Sequence, residues 1–241
     1  MSRIVLKSIN NSEYFPNNKP NDFTVKIPNL SKIGHNLKVA IVEIIFPLGF
    51  NNVRDGHNFI EVTNEANRQN PWMYTIDPNF YTPTSLIDEI NKKAKALDLI
   101  TFELDNHFCN VTKVKGVHIK FSVDIATILG FKSNEWLTGA EDNTPDRTGA
   151  YKNMSLLNVY CDIVEESLIG EDHYQLLRIV NWNAARKNET SPSISYTYPY
   201  FIPVKHTNVN SINIKITDSL DIPVEFTGGE PVVVTLEFEK E

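Results

Sequence analysis

His107 and Cys109 lie two positions apart around a turn, a spacing that in a strand sets both side chains on one face. A thiolate beside an imidazole is the pair that a cysteine nucleophile needs. No third group that would orient the imidazole is identifiable, and no family signature surrounds Cys109. Glu165-Glu166 offers paired carboxylates, but glycosidic use of such a pair requires a cleft between them. A charged loop is the plainer reading. Glu171-Asp172-His173 comes nearest to a ligand cluster, yet adjacent loop residues rarely converge on one ion, so a solvated turn is expected. The six histidines are scattered singly, with neither H-x-H nor HExxH spacing, and Walker, G-x-S-x-G and G-x-G-x-x-G patterns do not occur. The residue types predict a protein without catalysis, cofactor or metal.

Tyr196-Thr197-Tyr198-Pro199-Tyr200-Phe201 is different in kind. Four aromatics in six residues exceed what a solvated loop needs, and aromatics are enriched where interfaces bury area at low entropic cost. The cluster either makes subunit contacts or folds back as a lid over the end of a sandwich. If it makes contacts, Trp182, Tyr196, Tyr198, Tyr200 and Phe201 are the expected residues.

The elements that must position these groups are strands. Phe23-Thr24-Val25-Lys26-Ile27 alternates and stops at Pro28, whereas Leu37 to Phe46 is a longer β-branched run that stops at Pro47. Alternation marks a half-buried strand, and the continuous run marks one covered on both sides. Further strand-like runs are Phe59–Val62, Trp72–Ile76, Ile100–Leu104, Cys109–Lys113, Val117–Phe121, Leu156–Val164, Gln175–Asn181, Val209–Thr217, Val224–Phe226 and Val232–Glu239. In the last of these Val232, Val234, Leu236 and Phe238 share one face, and Ile212, Ile214 and Ile216 do the same in their own strand. A one-residue slip would turn either set to solvent. Two helices are expected. One has Thr82 as N-cap and Pro83 at its first position and extends to Leu97, laid across one sheet or one end of the sandwich; the other is Val123–Leu129 between Ser122 and Gly130. The expected fold is all-β, an antiparallel β-sandwich of jelly-roll type forming one domain over residues 1–241, with long loops at about 132–153 and 182–205.

With 23 Lys and Arg against 30 Asp and Glu, the net charge is −7. A dedicated nucleic-acid binder is usually basic, so direct nucleic-acid packaging is not expected. No apolar run approaches the length of a membrane span and no signal-peptide core opens the chain, so neither membrane insertion nor secretion is expected. In such a compartment Cys109 and Cys161 read as buried free thiols.

The ordered set Phe15-Pro16-Asn17, Phe23 to Pro28, Val39 to Pro47, Tyr74 to Tyr81, Ile128-Leu129-Gly130-Phe131, Leu157 to Ile163, Leu176 to Val180 and Ile212 to Phe238 covers most of the chain. It resembles the minor capsid (penton) proteins of Polinton/Maverick elements and adintovirus-like viruses. A bulky aromatic such as Trp is expected in that pattern where this chain has Gly49-Phe50. The resemblance implies a non-enzymatic capsid subunit that forms homopentamers at the fivefold vertices of an icosahedral shell. It implies a double-jelly-roll major capsid protein as partner, and a virion location after synthesis in the host cytoplasm, with assembly there or in the nucleus. A jelly-roll carbohydrate-binding attachment module is the competing reading, with Trp136, Trp182 or the tyrosine cluster as stacking platforms. A cupin-type enzyme would be a third, but the histidine-rich metal motif is missing.

Overall fold

The computed structural model describes residues 2–8, 13–27, 36–47, 49–64, 69–94, 100–105, 108–138, 156–182, 192–205, 209–219 and 221–240. The first strands are β1 (Ser2–Lys7), β2 (Asp22–Lys26), β3 (Leu37–Ile45) and β4 (Gly49–Asn51). Then come β5 (Phe59–Asn64), β6 (Trp72–Thr75), α1 (Pro83–Ala94), β7 (Ile100–Asp105), β8 (Phe108–Lys113), β9 (Val117–Phe121), α2 (Val123–Leu129) and β10 (Trp136–Leu137). The third group is β11 (Leu156–Cys161), β12 (Ser167–Ile169), β13 (Asp172–Tyr174), β14 (Leu176–Asn181), β15 (Ser193–Ser195), β16 (Ile202–Pro203), β17 (Ser211–Asp218), β18 (Glu225–Thr227) and β19 (Val233–Lys240).

The chain divides into two compact units, Met1–Phe50 with Met154–Glu241, and Asn51–Asn153. Where the sequence reads as one sandwich, the buried apolar side chains gather into two separate clusters, one in each unit. Residues 51–153 enter the chain between β3 and β11.

The first unit is the jelly roll. Its two sheets run β1-β19-β3-β15, with β16 also on β3, and β14-β11-β17-β2. Four antiparallel pairs nest inside one another along the chain: β11 with β14, β3 with β15 and β16, β2 with β17, and β1 with β19. This is one long two-stranded ribbon folded over on itself. The pairs β19 with β3 and β11 with β17 then close the two sheets. Eight strands in two Greek keys give the jelly-roll architecture.

The burial pattern follows the strands' period of two. Val234, Leu236 and Phe238 of β19, and Ile212, Ile214 and Ile216 of β17, are at most 1% exposed. On β3 the inward set is Leu37, Val39 and Ile41, then Ile44 and Phe46. The step from 41 to 44 breaks the alternation because Thr235 faces Glu43 while Leu236 faces Ile41, leaving Val42 as the extra residue of a bulge. This strand is central, as expected, but its outward face is not fully covered: Val42 and Ile45 are half-exposed. Gly49 sits at a close approach, where a Cβ would meet Thr227 Oγ1 at 2.9 Å. No bulky side chain could stand in its place without displacing that hydroxyl.

Three segments take places that the sequence alone does not give. The segment 182–205 is not one long loop: its described part contains β15 and β16, which form the edge strand on β3 in two short pieces. The helix α1 belongs to the other unit, where Asn91 exchanges hydrogen bonds of 2.8 and 3.0 Å with the backbone of Phe102 on β7. The segment Ser2–Lys7 pairs along its whole length with β19.

The second unit holds the sheet β10-β9-β5-β6, the hairpin of β7 and β8, and the helices α1 and α2. Thr82 caps α1 as expected. The Ser85 N–H donates to Thr82 Oγ1 at 3.1 Å and the Thr82 N–H donates to Ser85 Oγ at 2.9 Å, a reciprocal capping box. Leu86, Ile87 and Ile90 are buried with Ile119, Phe121, Ile125 and Leu129; the expected extension to Leu97 lies outside the described residues. Ser122 precedes α2, but its hydroxyl makes no cap. It donates to His57 O at 2.6 Å and accepts from the Phe59 N–H at 3.1 Å, tying the helix start to β5. Gly130, at φ 85°, ends the helix in the left-handed region, as its position predicts.

Candidate functional site

The aromatic cluster interrupts an edge strand. Ser195 pairs with Glu43 and Ile202 with Val39, so residues 196–201 span only positions 40–42 of β3. The surplus chain must leave the sheet. Tyr196 begins the excursion, its N–H donating to Val42 O at 2.9 Å, and the Val204 N–H re-enters on Leu37 O at 2.8 Å.

The excursion sorts its aromatics into two kinds. Tyr196 is half-buried against the core, and the Arg178 guanidinium carbon lies 3.6 Å from its ring centroid. Among the described residues the buried Arg178 Nη1 has no hydrogen-bond partner, and the ring face meets that cation. Burial raises the Tyr196 hydroxyl above its ordinary pKa, opposed only in part by Arg178. Phe201 is half-buried as well. Tyr198 and Tyr200 are the reverse, 89% and 70% exposed. Tyr196 therefore packs against the core, whereas Tyr198 and Tyr200 lie on the surface.

Trp182 does not join them. It is 9% exposed, with its ring edge-on to Phe46 at 5.2 Å and to Phe50 at 5.8 Å. A side chain used up inside the sandwich cannot serve as surface contact or stacking platform, which corrects its place among the expected contact residues. Trp136 is on the surface of the second unit, with Lys120 Nζ 5.1 Å from its ring centroid.

The chemistry-bearing residues fall apart in space. Cys109 and Cys161 are free, buried and in different units; His107 lies outside the described residues. Burial pushes both thiols up to about 12. Such groups are neutral and unreactive where a nucleophile would need to be a thiolate. A disulfide-exchange reagent at pH 8 should therefore titrate no thiol in native protein and two after denaturation without reductant; a thiol reacting before unfolding would contradict the packing. Unfolded thiols ionise near pH 9 and folded ones near 12, so the stability that the neutral thiols contribute should fade as pH rises through that window.

Among the described residues no group of three or more His, Cys, Asp or Glu side chains could hold a metal ion. Glu165 and Glu166 are exposed, as a charged loop predicts. Glu166 and His173 nonetheless line a cleft with Tyr160 and Tyr174 that no spacing in the sequence announces. The available signal was the outward phase of Tyr160 and Lys215, opposite their buried neighbours. No helix of the described residues is long and apolar enough to cross a membrane.

No protein-family model and no curated protein matches this chain. Among solved structures it is similar to the selenomethionine-labelled mavirus penton protein, with 15% identity, a TM-score of 0.44 and the full length of both chains covered. At that degree of likeness the jelly roll stands on this chain's own strand order.

Proposed function

We propose that this chain is a structural subunit of a viral capsid and, more finely, a penton protein that forms homopentamers at the fivefold vertices of an icosahedral shell. The observation that carries the reading is the eight-strand jelly roll whose edge strand throws out Tyr198 and Tyr200. Jelly rolls also serve lectins and cupins, so the architecture alone does not decide. Two largely exposed tyrosines on a short excursion are what an assembling surface presents, since large exposed aromatics mark contact sites. A cyclic ring uses a heterologous interface, in which one side of each subunit meets the opposite side of the next. One such excursion per subunit supplies one half of it.

The ordered motifs of the sequence, from Phe15-Pro16-Asn17 to Phe238, support a place among the penton proteins of Polinton/Maverick elements and adintovirus-like viruses. On this reading the partners are further copies of the chain and a double-jelly-roll major capsid protein, and the chain is neither an enzyme nor a nucleic-acid binder. Its net charge of −7 is of the same sign as a packaged genome. The location is the capsid vertex.

Replacing Tyr198 and Tyr200 together with Ser should leave the melting curve of the isolated chain unchanged, because neither ring is buried. Co-expressed with a major capsid protein, the variant should be missing from the particles at the vertices. Full incorporation would sink the contact assignment, and particles in which the wild-type chain is absent from the vertices would sink the function.

A further inference from the structure

The outward face of the β14-β11-β17-β2 sheet carries a cleft of about 310 Å3. Its floor is Tyr160 of β11 and Lys215 of β17, which are Cα partners pointing away from the core. One wall is the hairpin of β12 and β13, which contributes His173 and Tyr174; the other is Asp221. The Tyr160 and Tyr174 rings stand 6.0 Å apart with their planes at 46°, an open aromatic corner.

Asp221 is held in place. Its backbone takes the left-handed φ of 58°, and its N–H donates to Asp218 O at 3.1 Å. Its Oδ1 accepts from the Tyr160 hydroxyl at 2.5 Å, Asn158 Nδ2 at 3.2 Å and Thr217 Oγ1 at 3.3 Å. Burial first, and then the hydrogen bond to Asp221, push the Tyr160 hydroxyl up to about 12, so it remains a donor throughout the physiological range. Gln175, which also lines the cleft, is fixed by Nε2 donating to Asp162 O at 3.0 Å. Groups already held in one geometry lose little freedom when a ligand arrives.

We propose that this cleft binds a neutral saccharide of one or two pyranose rings. The carboxylates of Asp221 and Glu166 disfavour an anion, and Lys215 on the floor disfavours a fixed cation. What suits acceptors, a lysine donor and two tyrosine rings together is a ligand with an apolar C–H face and hydroxyls that both donate and accept. The volume lies at the low end of the roughly 300–1,000 Å3 typical of small-molecule sites. The site is on the opposite sheet from the Tyr198 excursion, and it needs neither assembly nor a capsid to operate.

The test is amide NMR of the full chain titrated with the methyl glycosides of glucose, galactose, mannose and N-acetylglucosamine, with N-acetylneuraminic acid and choline as charged probes. At least one methyl glycoside should shift, saturably, the Gln175 side-chain amide and the backbone amides of Tyr160, Tyr174 and Thr217. Tyr174→Ala should weaken that binding by about tenfold or more, as truncating an aromatic anchor does. Asp221→Asn should also weaken it while keeping the turn, because Asn tolerates the left-handed conformation. Tyr198→Ser should bind as wild type does. The proposal is overturned by silence from all four glycosides, by shifts only with a charged probe, by shifts mapping elsewhere, or by wild-type binding in both cleft variants. Vertex incorporation is read separately, so failure here leaves the capsid reading standing and the reverse also holds.

Discussion

Truncating Phe238 to Ala should cost roughly 3–5 kcal/mol, the range for deleting a large buried aromatic and leaving a cavity. Phe238 is 1% exposed and belongs to the core cluster between the two sheets. Its strand is paired on both sides, with Ser2 of β1 and Val39 of β3 as the Cα partners at this position. A strand clamped in that way cannot slide into the void, so the cavity should persist. Urea melts followed by circular dichroism should show a lower midpoint with an unchanged slope, the signature of lost stability rather than altered compactness. Phe238→Leu, which refills part of the volume, should lose less. A loss well under 3 kcal/mol for the Ala variant would mean that β19 is peripheral.

Removing the carboxylate of Asp124 should have an effect of similar size in the second unit. Asp124 is 1% exposed near the start of α2. Its Oδ2 accepts from the Arg54 N–H at 3.0 Å and from Arg54 Nε at 2.8 Å, and its Oδ1 accepts from Nη2 at 2.6 Å. The Arg54 side chain is only 13% exposed. Breaking a buried pair from one side leaves a charge and a backbone donor without their acceptor, which costs about 3–5 kcal/mol. Asp124→Ala should therefore be severe, whereas Arg54→Met with Asp124→Asn should recover much of the loss. The coupling should survive high salt, because a pair buried this deeply is little screened. Arg3 and Glu237 offer the contrast. Arg3 is 68% exposed, and a pair with one solvated partner contributes little. An Asp124→Ala variant as stable as wild type would show that water reaches the pair.

The sequence by itself determined the faces of β17 and β19, the capping of α1 at Thr82 and the end of α2 at Gly130. Each depends on residues within a turn or on a period of two, and such signals are local. It also determined that the chain is built of antiparallel strands. Only the tertiary structure decided which strands are partners. Alternation says which face is buried but not against what, so the nested pairs of the jelly roll and the separate core of 51–153 could not be read from periodicity. Pieces of two and three residues, as in β15 and β16, are too short to alternate at all and read as loop. Trp182 looks the same in sequence whether it faces solvent or fills the space beside Phe46. Tyr160, Tyr174, Lys215 and Asp221 meet because β11 lies against β17 and a hairpin folds beside them. Contacts across such distances in the chain are set by sheet pairing, which no local pattern of residues records.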